Sequence, residues 1–133
     1  WSALDVLQVE RIDHGVQAVK DAALMARLAK DRVPLTVCPL SNLKLCVFPT
    51  LAAHNLGALL DAGLVATVNS DDPAYFGGYM SENFIQTFAA TGLGAQHAYR
   101  LARNSFEASF IDGNARRGFI DQLDAVFNDA AGA

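Results

Sequence analysis

The sequence predicts an α/β fold built on a parallel sheet, and three observations carry that expectation. Three short apolar runs each end in polar residues. Amphipathic helical patterns fill the stretches between them. Beyond the third run only helical patterns follow. Repeated strand–helix order argues for parallel strands joined by right-handed crossovers.

The chain opens at Trp1, without a Met and already in a helical pattern. That start is expected of a fragment whose upstream part lies elsewhere. The first strand is expected over Val9 to Asp13 and ends at His14-Gly15. The helix after it, Val19 to Arg32, carries Ala22, Ala23, Met25, Ala26, Leu28 and Ala29 with charges at Lys20, Asp21, Arg27, Lys30, Asp31 and Arg32, an amphipathic pattern. Pro34 stops it before the second strand, Leu35 to Cys38, which runs into Pro39 and then Ser41-Asn42. Thr50 is the expected N-cap of a shorter helix reaching Ala62, with Gly63 as its C-cap. The third strand, Leu64 to Asn69, ends at Ser70-Asp71-Asp72-Pro73. Val, Ile and Leu dominate all three runs, as strands covered on both faces require. Helices are expected over Ser81 to Thr91, Gly94 to Phe110 and Asn114 to Ala130, separated by Gly92 and Gly113. The Gly and Ala at the C-terminus are expected to fray. Three strands alone leave two open edges, so the sheet is expected to be completed by something outside this sequence.

Composition narrows the function. At 133 residues and 52% apolar, the chain is of single-domain size and can build a core. Charged residues make up only 18%, below the usual quarter, so much of the surface is expected to be covered. The net charge of −4 with no basic stripe argues against nucleic-acid partners, which need clustered Lys and Arg. No apolar run is long enough for a bilayer, so no membrane partner is expected. Cys38 and Cys46 form no disulfide framework, and a reducing cytoplasm fits them.

Candidate chemistry gathers where parallel sheets place it, at the carboxyl ends of the strands. His14, Ser41, Asn42, Asp71 and Asp72 all fall there. Each alone has an ordinary reading. A strand-end His is commonly a hydrogen-bonded structural residue, Ser-Asn commonly makes a turn, and Asp-Asp-Pro is a common loop. Together, one His and adjacent carboxylates suit metal-assisted hydrolysis. A carboxylate is a hard oxygen ligand for Zn2+, which would compensate the charge at Asp71, and a neighbouring His can hold the water. Catalytic zinc needs at least three protein ligands, so the chain holds at most part of a metal site. His54 and His97 fall in helical patterns away from the strand ends and read as structural or surface residues.

The segments Arg11-Ile12-Asp13-His14-Gly15, Cys38-Pro39-Leu40-Ser41-Asn42 and Asn69-Ser70-Asp71-Asp72-Pro73 resemble, in order and spacing, the C-terminal half of the adenosine/adenine deaminase family. Arg103 to Phe110 looks like the family's helix after the last strand. The longer stretches CPLSNLKL and SDDPAYFGGY look closer to the adenine deaminase branch than to the animal adenosine deaminases. The similarity runs over roughly residues 4 to 128.

The resemblance implies a (β/α)8 barrel with one Zn2+ that removes the 6-amino group of a purine by hydrolysis. By position, Asp71 is the implied zinc ligand after strand eight. His14, after strand six, is implied to orient and stabilise the attacking hydroxide. Asp72 is implied to contact the purine ring at N7, as a protonated donor or through a protonated ring. Cys38 to Asn42 and Tyr75 to Tyr79 are implied to line the pocket. The family's His-x-His pair, its third zinc histidine and the His-Ala-Gly-Glu segment with the proton-shuttling Glu are absent. Residues 1–133 are therefore expected to form a partial barrel domain, about strands six to eight plus terminal helices, of the roughly 250 residues a full barrel uses. The missing N-terminal half of the barrel is an expected partner, an oligomer is possible, and the isolated chain is expected to be inactive and prone to association. Adenosine in place of adenine, another aminopurine, or a non-catalytic module completing a partner's barrel are the alternatives.

Overall fold

The structure, a computed structural model, describes residues 1–132; of the residues expected to fray, Ala133 lies outside them. Three parallel strands, β1 (Ile12–Asp13), β2 (Leu35–Val37) and β3 (Ala66–Val68), pair in the order β1-β2-β3. Ile12 stands opposite Leu35 and Leu35 opposite Ala66. Pairing runs past the regular strands: the His14 N–H donates to the Thr36 carbonyl at 3.0 Å and the Asn69 N–H to the Val37 carbonyl at 2.8 Å. Both loops that follow therefore leave the sheet from fixed backbone. Among the described residues no strand covers the outer edge of β1 or of β3.

Helices α1 (Ser2–Asp5), α2 (Ala22–Asp31), α3 (Pro39–Lys44), α4 (Leu56–Asp61), α5 (Pro73–Phe76), α6 (Met80–Thr91), α7 (Ala95–Glu107) and α8 (Gly113–Ala131) complete the chain. Asp21 starts α2 by accepting from the Ala23 and Leu24 N–H groups. The expected helix over residues 19–32 is thus split, with a 3-10 turn over Val16–Lys20 before Asp21. The helix expected from Thr50 to Ala62 is also split. Thr50 caps only a 3-10 turn, Leu51–Ala53, and the backbone turns extended at His54 before α4 begins.

Successive strand residues point to opposite faces. Ile12, Leu35, Val37, Ala66 and Val68 face the helices and pack with Leu28, Leu56, Leu59, Leu60 and Leu101. Burying each such leucine contributes about 1.5–3 kcal/mol. The opposite face carries Asp13, Thr36 and Thr67, with the Thr36 hydroxyl donating to Asp13 Oδ1 at 2.7 Å. The sheet is thus apolar on one face only, not on both as its Val- and Leu-rich runs imply. Helix α7 clamps the sheet through Leu101 and through Asn104, whose Nδ2 donates to the Ala66 carbonyl at 2.8 Å. The guanidinium of Arg11 lies 4.5 Å over the Phe110 ring and so ties the start of β1 to the segment after α7. Helix α8 packs on α7 through the stacked rings of Phe106 and Phe119.

Candidate active site at the carboxyl ends of the strands

The loop after β1 and the loop after β3 bring two residues face to face. His14 Nε2 lies 3.6 Å from Asp71 Oδ2. Both residues have left-handed backbone, φ +58° and φ +57°. Gly15 follows at φ +70°, packed so closely that a Cβ would sit 2.7 Å from Leu35 Cδ2. The turn after β1 is therefore wedged against the core and returns the His14 ring across the sheet end.

Between them, after β2, lies Cys38. Its Sγ, the His14 nitrogen and the Asp71 oxygen lie within 4.8 Å of one another. Burial, then the Asp71 and Asp13 carboxylates, push the Cys38 thiol up to about 12, so it is neutral at pH 7. Cys38 and Cys46 are both free. Asp72 caps α5: its Oδ1 accepts from the Ala74 and Tyr75 N–H groups at 3.0 and 3.1 Å. Its own N–H donates to Asp71 Oδ1 at 2.9 Å, which holds the doublet in one orientation. Among the described residues no Lys or Arg pairs with Asp13, Asp71 or Asp72. This donor set fits a divalent cation. Asp71 offers a hard oxygen facing an imidazole, and the neighbouring carboxylates have no Lys or Arg partner among the described residues.

Ser41 and Asn42 do not make a turn. They lie buried in the short helix α3, started by Pro39 at its first position. Asn42, 2% exposed, lies 3.2 Å from His14 Nδ1 through Nδ2 and 3.2 Å from His54 Nε2 through Oδ1. His54 is not in a helix, nor remote from the strand ends. It is 6% exposed, packs its ring 4.4 Å from that of Phe48, and is one residue removed from His14. Burial pushes its pKa down to about 4. No local motif links residues 14, 42 and 54, so sequence inspection misses the row. His97 is structural as expected: its Nδ1 accepts from the Gly94 N–H and starts α7.

Asn83 is a second residue hidden from sequence inspection. Fully buried on α6, it accepts from the Leu40 N–H through Oδ1 and donates to the Gly78 and Tyr79 carbonyls. It thereby fastens the 77–79 loop to α3. A cleft of about 300 Å3 opens beside His14 and Asn42, walled by Val16, Gln17, Leu45 and Val47. Of the expected pocket wall, Tyr75 and Tyr79 are largely exposed. A larger apolar groove of about 480 Å3, between α6, α7 and α8, carries none of the strand-end residues.

Parallel strands, helices on one face and a polar cluster at the carboxyl ends are the architecture of part of a (β/α)8 barrel. The adenosine deaminase family model matches residues 1–126, and the chain belongs to that family. It is 76% identical over 127 residues to an adenine deaminase of Albidiferax ferrireducens and 64% identical over 126 residues to one of Geotalea uraniireducens. These alignments cover 96% and 94% of the chain but 37% and 36% of the relatives, so the chain spans little more than a third of their length. The crystal structure of an adenine deaminase from Arthrobacter aurescens superposes with a TM-score of 0.93 at 43% identity, over 96% of this chain and 39% of that one. An amidohydrolase from Burkhoderia ambifaria, solved with bound Zn, superposes at 0.88 with 25% identity, over 98% of this chain and 37% of that one. No helix among the described residues is long and apolar enough to cross a membrane.

Proposed function

We propose that the complete protein containing these residues hydrolyses the 6-amino group of adenine, and that this chain supplies one side of the active site. The observation that carries the reading is the facing pair: His14 Nε2 3.6 Å from Asp71 Oδ2, at the ends of β1 and β3. Similarity to proteins named adenine deaminase supports adenine over adenosine.

Asp71 would hold Zn2+ together with ligands from outside this chain. When bound, the ion supplies Lewis-acid activation of water. His14 orients the attacking oxygen and stabilises the charge that develops on it. Asp72 keeps Oδ1 on the start of α5, and its Oδ2 is left to hydrogen-bond the purine ring. The buried Cys38 to Asn42 segment and the 75–79 loop form walls of the purine pocket. The remaining strands, packed against the edges of β1 and β3, bring the other ligands and the acid–base group. Residues 1–133 are thus a partial barrel domain, and its compartment is the cytoplasm, where Cys38 and Cys46 stay reduced.

Ammonia release from adenine, adenosine and other 6-aminopurines, measured side by side on the complete protein, tests the reading. Adenine is expected to be the best substrate. Faster turnover of adenosine would overturn the branch, and release from none of them would overturn the reaction.

A further inference from the structure

The row that runs from the Leu56 backbone through His54 and Asn42 to His14 has a direction, and one fixed donor sets it. The Leu56 N–H can only donate, and it lies 3.1 Å from His54 Nδ1. That nitrogen is therefore the acceptor of the ring. His54, buried and neutral, carries its proton on Nε2, which donates to Asn42 Oδ1 at 3.2 Å. The amide of Asn42 has then only one orientation. Its Nδ2, a donor with no lone pair to offer, points at His14 Nδ1 at 3.2 Å. His14 Nδ1 must accept, so the ring N–H is on Nε2, the atom facing Asp71.

We propose that Asn42 and His54 are positioning residues that hold His14 in the Nε2–H tautomer, so that its N–H is turned to the side of Asp71 and offered as a donor to a neighbouring oxygen nucleophile. The inference rests on the reading of His14 as the group facing the attacking oxygen. It deepens that reading, because a donor at Nε2 stabilises negative charge on oxygen but takes no proton from it. The proton of the attacking water must leave to another group. The burial of both positioning residues fits the role. A buried polar row is stable only when its members are satisfied, and here both ring nitrogens of His54 and both amide atoms of Asn42 have a complementary neighbour.

Long-range 1H–15N spectra of the 15N-histidine-labelled complete protein test this directly. The wild type is expected to show both His14 and His54 as Nε2–H tautomers. Asn42→Asp keeps an acceptor for His54 but removes the donor to His14, and its carboxylate calls for a proton on His14 Nδ1. The His14 tautomer is expected to reverse. His54→Gln, which retains an N–H at the same reach, is expected to keep the wild-type tautomer of His14. A wild-type His14 protonated on Nδ1 would overturn the proposal. So would an unchanged His14 tautomer in a folded Asn42→Asp protein. If the reaction is as proposed, Asn42→Asp also lowers kcat by about 10², the scale of losing one donor to a developing oxyanion, with a smaller change in KM. The spectra are independent of turnover. A protein inactive on every aminopurine but showing the Nε2–H tautomer would sink the proposed reaction and leave the positioning role of Asn42 and His54 standing.

Discussion

Acid is expected to destabilise this fold through His54. The ring is 6% exposed, and burial lowers its pKa from 6.5 to about 4. In the unfolded chain the same ring titrates near its ordinary value. Between pH 6.5 and pH 4 the unfolded state therefore binds more protons than the folded one, and stability falls as pH falls through that window. Above about pH 6.5 both states are neutral at this residue and the contribution is fully present. Each tenfold change in proton affinity is worth about 1.4 kcal/mol, so the full swing is about 3 kcal/mol. Urea unfolding of the complete protein at pH 7.5 and pH 4.5, for wild type and His54→Gln, isolates the effect. Gln cannot charge, and every other group titrates in both proteins. The variant is expected to lose less stability between the two pH values, by about 2–3 kcal/mol. Equal losses would show that His54 is not buried as a neutral ring, and would remove the acceptor-donor logic built on it.

Other substitutions separate chemistry from scaffolding. Asp71→Ala is expected to abolish stoichiometric zinc in the complete protein, read by metal analysis, and retained zinc with activity would refute the ligand role. His14→Ala is expected to lower kcat by about 10² or more while the far-ultraviolet spectrum is unchanged. Asn83→Ala leaves the Leu40 N–H and the Gly78 carbonyl without their partner, while the Tyr79 carbonyl keeps the backbone N–H of residue 83. A loss of about 2–4 kcal/mol in urea unfolding is expected, and a neutral result would deny that the 77–79 loop is fastened through it. Gly15→Ala adds left-handed strain of about 1–2 kcal/mol to a Cβ only 2.7 Å from Leu35 Cδ2. It is expected to destabilise the protein and weaken turnover together, because the residue next to His14 must move.

The order of strands and helices was legible in the sequence because apolar runs and helical periods report burial directly. Leu28, Leu35, Val37 and Val68 are nearly or fully buried, as their runs imply. Strand ends were less legible. The expected strand over residues 64–69 shrinks to Ala66–Val68, and that over residues 9–13 to Ile12–Asp13. Leu64 and Val65 are buried without belonging to the regular ladder, so burial alone overstates strand length. Polar Thr36 and Thr67 were absorbed into apolar runs, although they mark the face turned away from the helices. Candidate residues at strand ends were legible because topology alone brings His14 and Asp71 together. The row from His14 to His54 was not, since its members are 28 and 12 residues apart and meet only through Asn42.

The adjacency of Asp71 and Asp72 and the backbone at His14 share one physical explanation. Left-handed conformation costs a non-glycine residue about 1–2 kcal/mol, and His and Asp are among the side chains that tolerate it best. Both members of the facing pair adopt it. Gly fills such positions at Gly63 and Gly92 after helices α4 and α6, while Gln8, Arg32 and Cys46 adopt them elsewhere in the chain. Here side chains are retained where the backbone turn is strained, and the turn aims them at each other across the sheet. Asp72, by contrast, has ordinary extended backbone and uses one oxygen to start α5. The two carboxylates are thus divided by backbone geometry. One is strained into the cluster with His14 and Cys38, and the other is anchored on a helix with an oxygen to spare. Replacing Asp71 by Gly would relieve the strain and remove the ligand together. Compared metal-free, a variant that is more stable than the wild type and no longer takes up zinc is the outcome this division of roles requires, and one that is less stable even without metal would mean Asp71 holds the fold instead.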